Sequence, residues 1–377
     1  MNYNQNNLIS IAKRDNNTKR PFLLVNPMQG KHIPVAPSKC LLLFQALADK
    51  VFDTKSYTYR HTMIIGFAET ATAIGMGLAA CAPFSADYIQ TTREHFRGKE
   101  FLYFNEEHSH ATDQMVIRDF LDNKLTKDTH IVFAEDEVTT GNTIANFIRV
   151  LEKTYPEHHF SFGIASILNG MGTEKIKQFE DCNITIDFLL SVPSYDYNTI
   201  LSQYSYEEAL RLCCRNLTNK EVCYHTLTLG NYQNTRLGVM APEYEKLCEQ
   251  LAADILSETK LASVSGKRIL VLGTEEFMYA GIRLGNFIET HTQNTVRFHA
   301  TTRSPILPSR EQEYPLKVRY ELTSFYEQER TTYLYNLDTY DLVLVLTDSQ
   351  YHTTAMEELC QALALHGCEH IISIIWR

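Results

Sequence analysis

From residue 21 onward, apolar runs alternate with segments of helical length. Met63-Ile64-Ile65-Gly66 is a short, nearly unbroken apolar run, which predicts a strand, and the Ala- and Gly-rich stretch 72–80 predicts a helix after it. Residues 87–91 read as the next strand. The polar and aromatic stretch 93–114 reads as a hairpin or mobile loop, and 116–121 as a short helix. The clearest unit follows. His130-Ile131-Val132-Phe133-Ala134 is a buried-strand run, 135–143 a turn, and Ile144, Phe147, Ile148 and Leu151 fall at i, i+3, i+4, i+7 on one helical face. Residues 160–168 return to a strand, and strand–helix–strand at this spacing implies a parallel sheet.

The pattern weakens elsewhere. Residues 1–20 are polar and predict a loose tail. The Tyr-rich stretch 195–235 reads as an extension over the site, 236–242 as a linker and 243–258 as a helix, and a second α/β block starts at Lys267. For 377 residues two domains are the natural division, here 21–235 and 236–377.

The two blocks echo each other. Met63–Glu69 resembles Leu270–Glu276, Thr91-Thr92-Arg93 recurs as Thr301-Thr302-Arg303, and Asp136 recurs as Asp348. Helix positions 144, 147, 148 and 151 recur at Met356, Leu359, Cys360 and Leu363, a constant offset that also lays 160–164 over 372–376. Any two α/β units share some of this pattern; the constant offset and the repeated Thr-Thr-Arg favour a shared fold. Thr347 stands where the first block has Glu135, and Thr353 where it has Gly141, so the second block reads as a degenerate copy.

Composition narrows the partners. The net charge is −10 and no block of Lys and Arg stands out, which argues against a nucleic-acid backbone as partner. Nine scattered cysteines without a Cys-x-x-Cys pair read as buried apolar residues in a reducing compartment. No apolar run is long enough to span a membrane and no signal pattern opens the chain, so the expectation is a cytoplasmic protein with neither nucleic acid nor membrane as partner.

The segment Glu135-Asp136-Glu137-Val138-Thr139-Thr140-Gly141-Asn142-Thr143 carries the chemistry. Two carboxylates at the end of a strand can accept hydrogen bonds from the paired hydroxyls of a ribose. The helix start offers N–H groups without intrahelical partners, which suit a phosphate, and Gly141 lets the backbone come close. Carboxylates beside a phosphate cradle make sense when a sugar lies between them. The competing reading is a helix N-cap with surface carboxylates.

This segment resembles the phosphoribosyl-pyrophosphate (PRPP) motif of type I phosphoribosyltransferases, with Glu137 as a departure where the family usually has an apolar residue. The resemblance implies a Rossmann-like α/β domain followed by a degenerate α/β domain. It implies that Glu135 and Asp136 hold the ribose, and that Val138, Thr139, Thr140, Gly141, Asn142 and Thr143 cradle the 5′-phosphate. Gly66, Phe67, Ala68, Glu69 and Thr70 occupy the place of the family's pyrophosphate loop, with Glu69 an awkward charge there, and Arg93 is the preferred pyrophosphate contact. His108 and His110, in the interval where orotate-type members carry a mobile basic loop, stand as proton donors or as exposed loop residues; they do not by themselves make a zinc site, and no protein-held metal is expected. Mg²⁺ is implied, carried mainly by PRPP.

Thr302-Arg303-Ser304-Pro305 extends the likeness over nearly the whole chain, to an orotate-phosphoribosyltransferase-like subgroup of bacterial tellurium-resistance and stress operons with a C-terminal TRSP domain. Glu275, Glu276 and Arg303 stand as a second ligand site or a domain interface. The function implied is phosphoribosyl transfer from PRPP to a nucleobase-like acceptor, by a homodimer or alongside operon partner enzymes. The alternatives are a PRPP- or nucleotide-sensing module and a scaffold on the same fold.

Overall fold

The computed structural model describes residues 3–17, 19–53, 61–104, 114–214 and 223–377. They form two compact units that cut the chain differently from the boundaries at 20/21 and 235/236. The first unit comprises Leu42–Pro193 and Gln233–Lys246; the second comprises Met1–Leu41, Ser194–Tyr232 and Leu247–Arg377.

The first unit is built on β1 (Thr62–Gly66), α1 (Thr72–Ala80), β2 (Asp87–Gln90), β3 (His130–Val138), α2 (Asn142–Thr154), β4 (Ser161–Asn169) and β5 (Thr185–Ser191). The strands lie in the order β2-β1-β3-β4-β5, all parallel, with a short antiparallel strand, Val239–Met240, beside β2. All five residues of β1 are buried, as a strand covered on both faces requires. The helix α1 is buried almost all round, which is why its sequence shows no polar face. It approaches closely because it is Gly-rich: a Cβ on Gly75 would sit 2.8 Å from the Gly66 Cα, and one on Gly77 2.3 Å from the Phe44 ring. On α2, Ile144, Phe147, Ile148 and Leu151 are the buried face, and Phe147 stacks on Phe104 at 4.0 Å and packs on Phe67 and Phe133.

Three local expectations change. Val116 belongs to a strand, Met115–Ile117, paired antiparallel with Phe101–Tyr103, and the helix starts later, at Arg118–Lys124. Residues 236–242 are not a linker, because Val239–Met240 pairs with β2 and the helix Ala241–Thr259 begins before Pro242, whose missing N–H costs nothing in a first turn. The strand β3 does not stop at Ala134; it runs on through both carboxylates to Val138.

The second unit contains β6 (Tyr224–Leu229), β7 (Arg268–Gly273), α3 (Tyr279–His291), β8 (Thr295–Ala300), β9 (Leu342–Thr347), α4 (Thr353–Ala364) and β10 (Ile371–Trp376). Its parallel sheet runs β8-β7-β9-β10-β6, the first unit's order strand for strand, except that the outermost strand comes from earlier in the chain. The echo reaches individual hydrogen bonds. Gly66 pairs with Ala134 and Gln90, as Gly273 pairs with Leu346 and Ala300. The Thr91 N–H donates to the Gly66 carbonyl and the Thr301 N–H to that of Gly273. The Thr91 hydroxyl accepts from the Ala68 N–H at 2.8 Å, and that of Thr301 from the Glu275 N–H at 3.0 Å. The constant offset fails only at the last strand: Ala165 faces Ala134 and Ile374 faces Leu346, three residues out of step with it, so the connection after α4 is shorter than the one after α2.

The described residues of the stretch 1–20 do not form a loose tail. Ser10–Lys13 pairs antiparallel with Phe22–Val25, and Ala12 and Val25 sit in one buried cluster with Ile306, Tyr314, Leu316 and Tyr335. Within 195–235, Arg211–Cys213 pairs with Arg319–Thr323 and β6 with β10, so these two strands complete the second unit's sheets, while Thr235 bonds to Gln90 at the end of β2 in the first unit. Sparse apolar residues among polar ones hid these elements, because their partners lie far away in the sequence.

Candidate functional site

The C-terminal ends of β1, β2 and β3 meet at one edge of the first sheet, where ligands bind in open α/β folds. The Gly66–Thr70 loop leaves β1 beside Ala134, and the Phe67 N–H donates to the Ala134 carbonyl at 3.0 Å. Phe67 is buried, while Ala68, Glu69 and Thr70 are half-buried; the Ala68–Glu69 peptide is cis. Thr91 ties this loop to β2, and half-buried Arg93 follows two residues on. Sequence reading did not single out Thr91; its signal was the repeated Thr-Thr-Arg.

Because β3 continues past Ala134, the carboxylates stand on a strand and not in a turn. Strand alternation puts Glu135 and Glu137 on the face of Phe133, which packs on α2, and Asp136 on the opposite face. All three are half-buried. Burial, then the charges of Asp136 and Glu137, push the Glu135 carboxyl well above its usual range, against the pull of a backbone N–H at Asp136.

Beyond Val138 the chain turns through Thr139 and Thr140 to Gly141, whose φ of 70° is left-handed, and Asn142 starts α2. A Cβ at Gly141 would also meet the Phe179 ring at 2.7 Å and the Met171 Sδ at 2.9 Å, so glycine is required twice over. Met171 and Phe179 form that wall without any signal in the sequence. Thr139, Thr140, Asn142 and Thr143 are exposed; Gly141 offers no side chain to cap α2, the Asn142 N–H donates to the Thr140 hydroxyl at 3.3 Å, and the N–H groups of the first turn have no intrahelical acceptor.

The structure thus brings Gly66–Thr70, Arg93, Glu135, Asp136 and 138–143 to one sheet edge. His108 and His110 lie outside the described residues. Glu275, Glu276 and Arg303 belong to the second unit, where the Arg303 guanidinium donates to both carboxylates at 2.7 Å. A cleft of about 590 Å³ lined by Lys50, His130, Ser161, Glu180, Thr185 and Asp187 opens at the opposite ends of the first sheet's strands. Among the described residues, no group of three or more His, Cys, Asp or Glu side chains is placed to hold a metal ion, and no helix is long and apolar enough to cross a membrane.

A family model described as a phosphoribosyl transferase matches residues 8–194, and one described as the TRSP domain C-terminal to it matches 233–363. The chain belongs to the phosphoribosyltransferase family. As a phosphoribosyltransferase it is an enzyme that transfers a phosphoribosyl group, on an α/β domain followed by a second one.

Solved structures similar to this phosphoribosyltransferase include an adenine phosphoribosyltransferase from Rhodothermus marinus, at 16% identity over 49% of this chain and 94% of that one, with a TM-score of 0.35. The adenine phosphoribosyltransferase of Saccharomyces cerevisiae, at 13% identity, covers 48% of this chain and 94% of its own, with a TM-score of 0.31. A hypoxanthine phosphoribosyltransferase from Staphylococcus aureus, at 13% identity, covers 41% and 75%, with a TM-score of 0.26. Scores this low carry no argument about ligand or mechanism. No curated protein matches the chain.

Proposed function

We propose that the first unit transfers the phosphoribosyl group of PRPP to a ring nitrogen of a nucleobase-like acceptor and releases pyrophosphate. The observation that carries this reading is the acidic end of β3 running through Gly141 into an uncapped helix start, beside the Gly66–Thr70 loop. In the reaction the C1–O bond to pyrophosphate breaks with its electron pair, the acceptor nitrogen bonds to C1, and the proton on that nitrogen leaves to solvent or a base. The protein's work is to hold both partners in line and to balance the departing charge.

Glu135 and Asp136 hold the ribose hydroxyls, 138–143 the 5′-phosphate, and Gly66–Thr70 with Arg93 the pyrophosphate. The hard carboxylate oxygens of this strand end, next to a phosphate-bearing substrate, suit Mg²⁺ that would be carried mainly by PRPP. Carried with PRPP, the ion would neutralise charge on the leaving group. The orotate-type subgroup, the stress-operon setting and a cytoplasmic homodimer form part of this proposal and rest on the resemblance around Thr302-Arg303-Ser304-Pro305.

The test is calorimetric titration of PRPP with and without Mg²⁺ into the wild type, Asp136→Asn and Asp348→Asn. The expected result is a Mg²⁺-dependent binding event lost in Asp136→Asn alone, followed by turnover in a screen of bases. Folded wild type without a Mg²⁺-dependent event would overturn the transferase site as assigned.

A further inference from the structure

The second unit has an edge equivalent to the PRPP edge, and it is heavily charged. At the C-terminal ends of β7 and β8, Glu275 and Glu276 are buried, Arg303 bridges them, and Ser324 donates to Glu275. Arg330 stands 3.6 Å from Glu275, and fully buried Lys31 donates its Nζ proton to the Glu275 carbonyl at 2.6 Å. Buried ion networks generally stabilise less than apolar packing of the same volume, so stability alone does not account for this one.

Lys31 belongs to a loop, 26–32, that the structure fixes over these strand ends. The Gly30 carbonyl lies 3.2 Å from the His299 ring, Val35 pairs with Phe298, and Gly30 has φ +72° where a Cβ would meet the Phe298 ring at 2.4 Å. The loop carries two amides, Asn26 and Gln29, each only 4% exposed, and among the described residues neither the Asn26 Nδ2 nor the Gln29 Nε2 meets an acceptor. For Asn26 the orientation is not arbitrary, because its Oδ1 accepts the Met28 N–H at 2.8 Å and so turns the NH₂ group the other way. A buried donor without an acceptor is costly, and an oxygen atom from outside the chain, of a water or of a ligand, relieves that cost.

We propose that this edge of the second unit is a separate binding site for an oxyanion, the phosphate of a small phosphoribosyl compound, with Asn26, Gln29, Lys31 and Arg330 supplying donors and charge. The counterpart of the first unit's ribose-binding aspartate is already in use: Asp348 accepts from the Tyr232 and Tyr326 hydroxyls, both at 2.5 Å. The second site therefore holds its ligand through the phosphate, independently of Mg²⁺. The choice of a phosphoribosyl ligand rests on the proposed function; the demand for an oxyanion does not.

The experiment uses full-length Asp136→Asn, without the first-unit carboxylate, in EDTA. Ribose 5-phosphate, inorganic phosphate and pyrophosphate are titrated by calorimetry, with and without Asn26→Ala and Gln29→Ala. The expected result is one Mg²⁺-independent ribose 5-phosphate event per chain, weakened roughly tenfold or more by either substitution. Equal affinity for inorganic phosphate would overturn the ribosyl part alone. No event, or one that neither substitution changes while circular dichroism confirms folding, would overturn the site. The Mg²⁺-dependent PRPP event of the wild type reads the first unit separately, so the two proposals fail independently.

Discussion

The two units share a strand order and a register and differ at the tip of one strand. In the first, β3 ends in Glu135-Asp136-Glu137 and turns through left-handed Gly141 into an uncapped helix. In the second, β9 ends in Thr347-Asp348, where the Thr347 hydroxyl meets that of Thr274 and Asp348 holds two tyrosine hydroxyls. One tip sets three half-buried carboxylates beside an exposed helix start; the other ties its aspartate to two tyrosine hydroxyls. A shared fold therefore says little about shared chemistry, and a few side chains at the strand ends decide it.

The comparison breaks most completely by truncation. A 236–377 fragment, the domain boundary that the sequence suggests, lacks β6, the hairpin that buries Ala12 and Val25, and Lys31. It should fail to give a cooperative thermal transition, whereas the full chain gives one; a well-dispersed amide spectrum from the fragment would show that the unit is not built from three segments.

The units should next differ in their response to pH. His299 of the second unit is fully buried, with its ring nitrogens facing the Gly30 and Tyr335 carbonyls, and burial lowers its pKa to about 4. Since the unfolded chain takes up this proton near pH 6.5 and the folded one near pH 4, acidification across that window costs stability, on the order of 3 kcal/mol at most. Denaturant melts of wild type and His299→Gln between these pH values should show the slope in the wild type only.

A smaller effect is expected at the turn. Gly141→Ala places a Cβ in a left-handed position against Phe179 and Met171, for a loss of about 1–3 kcal/mol and a weaker PRPP event. Thr353→Ala, at the matching position of the second unit and in the first turn of α4, should change PRPP binding by less than about twofold. Equal losses of PRPP binding in the two would undo the assignment of the phosphate cradle to the first unit.

The smallest effect has the opposite pH sign to His299. The Glu135 carboxyl is raised, so the stability it contributes is complete below the usual carboxylate range and declines as pH climbs through the folded value. Glu135→Gln should flatten that decline. A melting temperature that responds to pH identically in wild type and variant would remove Glu135 as a perturbed group.

Local pattern alone carried much of this. The apolar run 130–134, the helical face at 144, 147, 148 and 151, the segment Thr72–Ala80 and the Thr-Thr-Gly turn each report on residues adjacent in the chain, where periodicity and turn chemistry act directly. The repeat was legible for the same reason, up to the point where a shorter connection shifted its last strand.

Tertiary structure decided what depends on distant partners. That Ser10–Lys13 is an ordered part of the second unit follows from Ala12 meeting Ile306 and Tyr335. That Tyr224–Leu229 serves the second sheet turned on the pairing of β6 with β10. That β3 extends through its carboxylates was decided by β4, which continues beside it from Ser166 to Asn169 and supplies the hydrogen bonds that Glu135 to Val138 need to stay extended. Burial and strand pairing are properties of two segments at once, and no window of one segment contains them.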